Sequence, residues 1–317
     1  MALDALSATT HRNLMPVMTD NVFTSTPLLM LFVRRLVLVD GGASFGAPIR
    51  ISRNAAGSSY SGADPIPVYY DSANTIGAEW NWCQYGRILG LTGLDDVRNS
   101  GIRSIINLIR TSLESIEMEL REDMGTDLYG DGTGNANKVM VGLRAVVDDG
   151  TNVVTYGNIS RTVYVNWKAN YSANGGVGRA LTLSLMNTNF DNASKDNDRP
   201  GVILGSHGLF LKYLGLLQPG MQFSDARVAD AGFQNLTYMK RPVIVDDQIP
   251  TTPLHRMFFL NLKYFTFYAS SKRKFMFVPF QRVPGTDTVQ GAILFAGALA
   301  CTSPRMQAQV VDLDPAL

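Results

Sequence analysis

The sequence predicts an α+β fold, and three observations lead to this class. One long amphipathic helix can be counted from its apolar spacing, several short runs alternate apolar and polar residues as strands do, and stretches rich in glycine and proline separate them. The order of the parts agrees with this class, because a ribbon precedes the helix and mixed strands and helices follow it. At 317 residues the chain is long enough for two domains or one large interlocked domain.

Residues 1–40 are expected to form an arm, since Ser, Thr and Pro residues interrupt any long helix before the apolar run Leu28 to Val39. Residues 41–83 predict an extended β-hairpin loop, in which the strand-like pieces Phe45 to Arg53 and Ile66 to Trp82 flank a linker rich in small residues. A long hairpin alone in water is marginally stable. We therefore expect this ribbon to obtain its burial from a neighbouring copy of the chain.

A helix is predicted over about 97–123, with acidic residues near its start and Gly125 as its stop. About 27 residues at 1.5 Å per residue make a rod of roughly 40 Å. Its apolar positions recur at helical steps: Ile102, Ile105, Ile106, Ile109, Leu113, Ile116 and Leu120. Such a face requires a sheet or a second helix against it, and the alternating runs Phe258 to Tyr264 and Phe275 to Phe280 are candidates for that platform.

The middle of the chain, residues 143–254, predicts a separate α+β lobe. Its expected strands are Val153 to Tyr156, Val202 to Leu204 and Pro242 to Val245, and its expected helices lie near Arg179 to Met186 and Leu209 to Leu217. Two more strands are expected near the C-terminus, at Ala292 to Ala300 and Gln307 to Leu313.

Composition argues against several classes of protein. Lys and Arg total 28 against 27 for Asp and Glu, so nothing marks the whole chain as a nucleic-acid binder or an enzyme for acidic substrates. The 17% charged fraction is below the usual 25% or so, which fits a chain that buries surface against partners. Cys83 and Cys301 are far apart and lack metal-ligand spacing, which argues against a disulfide scaffold or zinc and favours a reducing compartment.

No membrane helix or secretory signal is expected. The most apolar run, Leu28 to Val39, is too short to span a bilayer and contains Arg34 and Arg35. The N-terminus has no basic region followed by an apolar one, so the protein is expected to stay where it is made.

Catalytic motifs are weak throughout the chain, and we predict no catalytic, cofactor or metal site. The glycine-rich run Gly130 to Asn135 follows a helix and lacks the Gly-Lys-Ser/Thr of a phosphate loop, so it predicts a turn. The acidic pairs beginning at Asp148 and Asp246 favour capping or solvated roles. Ser206 and His207 are adjacent, and adjacent residues rarely face one another productively. The basic turn 272–274 favours a solvated hairpin turn over a contact with DNA or with an acidic neighbour.

The order of these parts along the chain resembles that of the major capsid (coat) proteins of tailed bacteriophages, whose shell fold is shared with herpesvirus capsids and encapsulins. The resemblance covers nearly the whole chain and depends on order more than on any single motif. The stretches that carry it are Glu79-Trp80-Asn81-Trp82, Gly130-Asp131-Gly132-Thr133-Gly134, Gly142-Leu143, Gly157-Asn158-Ile159, Trp167, Pro242-Val243-Ile244-Val245-Asp246, Ile249-Pro250 and Ser303-Pro304-Arg305.

The resemblance implies a phage major capsid fold in four parts. These are an N-terminal arm (1–40), an extended loop (41–83), a peripheral domain (84–142 and 255–290) carrying the spine helix, and an axial α+β domain (143–254 and 291–317). It implies a structural subunit that forms hexamers and pentamers of an icosahedral shell around double-stranded DNA, held by non-specific contact. The implied location is the virion capsid, assembled in the host cytoplasm, and the resemblance allows for separate scaffolding, portal and decoration proteins.

Residues on the segments expected to reach other copies are candidates for contacts between subunits. Arginines suit intersubunit ion pairs, and aromatic side chains suit buried contacts. The candidates are Arg34, Arg35, Arg50, Arg53, Tyr60, Trp80 and Trp82. The two tryptophans fit the core of the hairpin base equally well.

Two departures from the family pattern matter. No lysine precedes Lys138, so the loop lacks the lysine that some members use for a covalent lysine–asparagine link, and we expect no such crosslink. The chain also lacks a long helical N-terminal extension of the kind that acts as a fused scaffold. Two alternatives stay open: an encapsulin-like compartment around an enzyme cargo, and, more remotely, an unrecognised α/β hydrolase or transferase.

Overall fold

The computed structural model describes residues 26–52, 60–65, 74–94, 102–221 and 236–317, and the structural statements below concern these ranges. The helices are α1 Pro27–Val33, α2 Ile102–Leu128, α3 Leu143–Val146, α4 Leu183–Asn192 and α5 His207–Met221, with a further single turn at Gly134–Asn137. The strands are β1 Leu36–Val39, β2 Ser44–Arg50, β3 Thr75–Asn81, β4 Cys83–Thr92, β5 Thr155–Tyr156, β6 Ile159–Ser160, β7 Asn170–Ser172, β8 Val202–Gly205, β9 Thr237–Tyr238, β10 Arg241–Val245, β11 His255–Leu260, β12 Phe265–Ser270, β13 Met276–Arg282, β14 Thr288–Cys301 and β15 Ala308–Leu313. The predicted α+β class is confirmed.

A five-stranded sheet is built around β14. Its 14 residues pair with β4 along one edge and with β13 and then β12 along the other, all antiparallel. β1 adds to β12 in parallel and lies at the edge. One long strand thus pairs with three neighbours in a single layer, and β1 extends the layer through β12.

The long helix α2 packs on this sheet through β4, and α1 lies against both α2 and β12. Arg87 of β4 pairs with Asp123 at 2.5 Å, and the Tyr85 hydroxyl donates to Asp127 Oδ2 at 2.8 Å. Of the two runs predicted as the platform, Phe275 to Phe280 corresponds to β13 of this sheet, whereas Phe258 to Leu260 belong to β11 in the other sheet.

The predicted end of α2 at Gly125 is wrong, because the helix continues to Leu128. Met124 and Leu128 are fully buried, so their burial holds the last turn in helical form. Gly125 serves close packing instead: a Cβ there would lie 3.1 Å from Gln248 Cγ and 3.3 Å from Thr26 Cγ2. The predicted start near residue 97 lies outside the described residues.

A six-stranded sheet has the order β7-β15-β11-β8-β10-β9. One of its faces joins the apolar core shared with α1, α2 and the five-stranded sheet, and the other face packs on α4 and α5. The expected middle lobe supplies β7 to β10, which fits its prediction as a mixed α+β region. Two strands lie in a different sheet from the one that the predicted domains imply. β11 belongs to the predicted peripheral domain but joins this six-stranded sheet, and most of β14 belongs to the predicted axial domain but lies at the centre of the five-stranded sheet. The domain boundaries themselves stay a prediction.

No helix in the described ranges is long and apolar enough to cross a membrane.

Candidate assembly interface at the hairpin

The predicted ribbon is an antiparallel hairpin in which β2 and β3 pair over seven residues, from Ser44 opposite Asn81 to Arg50 opposite Thr75. Strand alternation gives it two faces. The inner face carries Phe45, Ala47, Ile49, Ile76, Ala78 and Trp80, all of which belong to or pack against the main core. The outer face is exposed and carries glycines, Pro48, Glu79 and Arg50.

The base of the hairpin packs against the body of its own subunit. The ring of Phe45 stacks on Tyr268 of β12 with centroids 4.6 Å apart, and it contacts Trp82 at 4.2 Å. Trp80 lies 6.2 Å from Tyr156 between ring centroids. The expectation that the whole ribbon obtains its burial from a neighbouring copy is therefore wrong for its base, because the aromatic inner face finds partners in β12 and β5.

Hydrogen bonds fix this docking. The Glu79 N–H donates to Gly157 O at 3.0 Å, and Asn158 Nδ2 donates to Glu79 Oε2 at 3.0 Å. Gly157 has a φ of +58°, and a Cβ there would meet the Trp80 ring at 3.4 Å, so glycine suits both the turn and the close approach. Further along the ribbon, Asn166 Nδ2 donates to Ile51 O at 3.0 Å.

The far part of the ribbon differs from its base. Residues 60–65 are all exposed, and Tyr60 has 56% of its surface accessible. A turn holds them, since Asp64 N donates to Ser61 O at 3.1 Å and Ser61 N donates to Asp64 Oδ2 at 3.2 Å. Residues 53–59 and 66–73, which include the candidate Arg53, lie outside the described residues.

The predicted contact residues fall into two groups. Trp80 is 4% exposed and forms the core of the hairpin base, while Trp82 is partly buried and donates from Nε1 to Gly42 O at 2.9 Å. Arg35 Nη1 donates to Leu262 O at 2.6 Å, so its guanidinium already has a partner within the chain. Arg34 and Arg50 are exposed. A role for any of them between subunits stays a prediction.

A cavity of about 260 Å³ opens beside the hairpin base, between the end of β3 and the loop that follows α2. Its walls include Trp80, Trp82, Tyr156 and Val141, with the carboxylates of Glu79 and Asp131 also among the lining groups. The indole of Trp80 is buried beside Tyr156, whose side chain is its hydrogen-bond partner. No Lys, Arg or His is among the described residues that line the cavity.

The two cysteines and Ser206 have surroundings that do not favour catalysis. Burial raises the pKa of both Cys83 and Cys301 to about 12, so each thiol is protonated near neutral pH and is a poor nucleophile. Ser206 Oγ lies 2.6 Å from His255 Nδ1 rather than against its sequence neighbour. In the described ranges no carboxylate hydrogen-bonds to His255, so the third member of a triad is missing there.

The first residue of each acidic pair caps a turn, in agreement with the expected role, and Asp246 Oδ1 does so by accepting from Gln248 N at 3.0 Å. Asp148 Oδ2 accepts from the N–H groups of Gly150 at 2.9 Å and Val153 at 2.9 Å. Asp246 accepts from Leu28 N at 3.2 Å and from the Tyr129 hydroxyl at 2.9 Å, which joins α1, the end of α2 and β10. Both carboxylates are buried rather than solvated. In the ranges described, no three His, Cys, Asp or Glu side chains gather as metal ligands would.

The sequence patterns do not identify Arg161, a fully buried arginine. Arg161 is 0% exposed, and its guanidinium donates to the carbonyl oxygens of Ala145, Val146 and Val153 at 2.8 to 2.9 Å. Asp148 Oδ2 lies 3.9 Å away. No periodicity signals such a residue, because its partners are main-chain carbonyls brought together by the turn 148–153 and the β5–β6 hairpin.

Solved structures of capsid and encapsulin proteins have a fold similar to this one. The capsid asymmetric unit of cyanophage A-1(L) matches with a TM-score of 0.65 at 16% identity, covering 91% of this chain and 93% of that one. The capsid of an empty GTA particle matches at 0.59 and 10% identity, covering 92% and 91%. The holo-SrpI encapsulin complex from Synechococcus elongatus matches at 0.57 and 12% identity, covering 93% and 90%. No protein-family model and no curated protein matches the chain. The chain has the fold that these capsid and encapsulin proteins share, so the expected phage capsid fold is confirmed.

Proposed function

We propose that this chain is a major capsid protein, a structural subunit that assembles through heterologous contacts into hexamers and pentamers of an icosahedral shell around double-stranded DNA. The single observation that carries the proposal is the match over about nine tenths of the chain to capsid subunits at TM-scores up to 0.65. In this reading the protein is not an enzyme, needs no cofactor and resides in the virion capsid, which is assembled in the host cytoplasm.

The proposed contacts between subunits involve the outer part of the ribbon. Its base is anchored to its own subunit by Phe45 and Trp80, while residues 60–65 are exposed. An anchored base with an exposed far end suits a ribbon that reaches a neighbouring copy. Tyr60 would supply buried area there, and Arg34, Arg50 and Arg53 would supply ion pairs. Trp82 and Arg35 would hold the ribbon and arm in position rather than cross the interface.

The four-part division implied by the resemblance is part of the proposal. The five-stranded sheet with α2 would form the peripheral domain, and the six-stranded sheet with α4 and α5 the axial domain. β11 and β14 would then each lie on the other side of the boundary from their sequence assignment, because hydrogen bonding places them in those sheets.

The experiment that tests the proposal is electron microscopy of the purified full-length protein over a range of concentration and ionic strength. We expect closed shells or rings of uniform size. A protein that stays monomeric under every condition, by light scattering as well as by microscopy, would contradict the proposal. A matched control replaces residues 54–64 with a short Gly-Ser linker, which should leave the monomer folded and prevent closed shells.

An encapsulin-like compartment is the second candidate, favoured by the match to the SrpI encapsulin complex at a TM-score of 0.57. The two candidates differ in contents. Particles isolated from the native source should hold nuclease-protected DNA if the chain is a phage capsid protein. A stoichiometric protein cargo without DNA would favour the compartment.

A further inference from the structure

The turn that follows β7 carries the one Asn-Gly pair in the sequence, Asn174–Gly175. Residues 173–177 are all exposed, and Val177 N closes the turn by donating to Asn174 O at 3.2 Å. Gly175 and Gly176 have φ values of +65° and +79°, and a type I′ turn requires positive values at both central residues. Glycine suits this turn, and it also leaves the main chain after Asn174 without a side chain to shield it.

Hydrogen bonds hold the residues on both sides of Gly175 and leave its own N–H group unused. The carboxylate oxygen Oδ2 of Asp312 accepts from Asn174 N at 2.7 Å and from Gly176 N at 3.0 Å. No acceptor for Gly175 N lies in the described part of the chain. A Cβ on Gly175 would meet nothing within 4 Å beyond its chain neighbours, so the surroundings of this residue are open. Hydrogen bonding therefore gives this N–H no protection in an exposed turn.

The side-chain amide of Asn174 folds back over the same turn. Its Nδ2 donates to Val177 O at 2.8 Å, so the side chain lies across the turn instead of extending into solvent. Asparagine is among the thermally labile residues of proteins. The turn thus combines a labile amide carbon with an unprotected nitrogen in the next residue of the main chain.

We propose that Asn174 is a site of spontaneous deamidation, in which the side chain cyclises onto the main chain as a succinimide and opens to isoaspartate or aspartate. The nitrogen of Gly175 loses its proton to solvent base and forms a bond to Asn174 Cγ. The bond from Cγ to Nδ2 breaks, and Nδ2 leaves as ammonia. Water then adds to the ring and breaks one of its two C–N bonds. Cleavage at the main-chain carbonyl carbon gives isoaspartate, and cleavage at Cγ gives aspartate.

The product places a new negative charge in the turn. Its carboxyl group is ionised near neutral pH and has no donor for Val177 O. It also lies beside Asp312, whose carboxylate accepts from the N–H of the same residue, and like charges at short range repel each other. Asp312 O accepts from Arg179 N and Arg179 O accepts from Asp314 N, both at 2.9 Å. The opening of the turn should therefore extend to the last residues of the chain.

This inference goes beyond the proposed shell function and does not depend on it, because the whole reaction takes place within one subunit. In a shell, every copy would carry the site. The modified fraction would then increase with the age of the particle.

Timed incubation of the purified full-length protein in heavy-oxygen water, at pH 7 and at pH 9, tests the proposal by peptide mapping with mass spectrometry. We expect residue 174 to lose ammonia and gain one heavy oxygen, faster at pH 9 because the attacking nitrogen must lose its proton. Asn158 is the internal control, since it is also exposed and also has a positive φ, of +60°. Ile159 follows it, and the branched side chain should slow the reaction there about tenfold. Equal rates at the two asparagines, or aspartate formed without isoaspartate, would overturn the proposal.

Variants of the full-length protein separate the reaction from its effect on the turn. Asn174→Gln should give no product in the same period, because its amide carbon is one methylene further along the side chain. Asn174→Asp carries the charge of the product, and its hydrogen exchange in 173–179 and 312–317 should be faster than that of the wild type. In an Asp312→Asn background the same substitution should have little effect, because the facing charge is absent. Product from Asn174→Gln at the wild-type rate would overturn the cyclisation, and unchanged exchange in Asn174→Asp would overturn the opening of the turn.

Discussion

The ring of Phe45 in the hairpin and the ring of Tyr268 in the five-stranded sheet are stacked, with centroids 4.6 Å apart and planes inclined by 10°. This contact joins two sheets that share no strand pairing. It makes the hairpin base part of the subunit core, while the exposed residues 60–65 remain free to contact other molecules.

The Phe45→Ala substitution should therefore loosen the hairpin without unfolding the subunit. Loss of a buried phenylalanine ring costs about 3 to 5 kcal/mol in a closed core, and a large part of that cost should appear as local opening of β2 and β3. Hydrogen exchange measured by mass spectrometry should show faster exchange in residues 44–50 and 75–81 and unchanged exchange in β14. The control is Ile88→Ala, since Ile88 is 66% exposed. Uniform acceleration across the chain would contradict this role for Phe45.

Arg161 should be among the least replaceable side chains. Its guanidinium satisfies three buried carbonyl oxygens and lies beside Asp148, which is also 0% exposed. Arg161→Leu removes every donor and leaves Asp148 buried without its cation, so we expect a loss of about 3 to 5 kcal/mol in the free energy of unfolding. Arg161→Lys should recover only part of it, because an ammonium group lacks the planar fork of donors.

Denaturant unfolding followed by circular dichroism measures this loss. The control is Arg305→Ala, because Arg305 is exposed and makes only a 3.2 Å hydrogen bond to Asn166 Oδ1. That variant should change stability by less than about 1 kcal/mol. Equal effects of the two substitutions would argue against a buried hub at Arg161.

Local signals in the sequence account for much of this architecture. The spacing of Leu113, Ile116 and Leu120 predicts α2, and all three side chains are buried. The predicted C-terminal end of α2 is wrong because glycine favours the end of an isolated helix, whereas in the folded chain Gly125 packs against Gln248 and Thr26, which are distant in sequence. Local sequence patterns carry no information about contacts of this kind between residues that are distant in sequence.

The candidate site shows the same division. Alternating residues predict the hairpin itself, and its pairing over 44–50 and 75–81 agrees with that prediction. The docking of its base on Tyr268 and Tyr156 joins residues more than 70 positions apart, so no local pattern reports it. The cavity between Trp80 and the loop after α2 depends on the same long-range contacts, so local sequence patterns do not report it.

Glu117 should make stability depend on pH. It is 3% exposed on the core side of α2, and burial raises the pKa of its carboxyl group from an ordinary 4.5 to about 7, against an opposing effect of Arg121. Between these two values the folded state retains a proton that the unfolded state releases. Stability is therefore lost as pH rises through this window, by up to about 3 kcal/mol, and the loss is complete above about pH 7.

Thermal unfolding at pH 5 and pH 8 tests this dependence. Glu117→Gln keeps the shape without the charge, so its midpoint should exceed that of the wild type at pH 8 and approach it at pH 5. Glu122→Gln, on the exposed side of the same helix, is the control and should follow the wild type at both values. A Glu117→Gln variant with no advantage at pH 8 would contradict the prediction.

Gly142 should tolerate no side chain, because it is the point where the loop after α2 crosses the end of that helix. A Cβ at this position would lie 2.3 Å from Asp127 O and 2.5 Å from Leu128 O, and main-chain atoms at a helix end cannot move aside cheaply. We expect Gly142→Ala to lower the free energy of unfolding by about 1 to 3 kcal/mol. The matched control is Gly215→Ala in α5, where no atom lies within 4 Å of the added carbon. That variant should be stabilised by up to about 1 kcal/mol, because alanine has a higher helix propensity than glycine. Denaturant midpoints that move in opposite directions for the two variants would show that a steric conflict, and not a general effect of alanine, destabilises Gly142→Ala. Midpoints that move in the same direction would contradict the steric conflict.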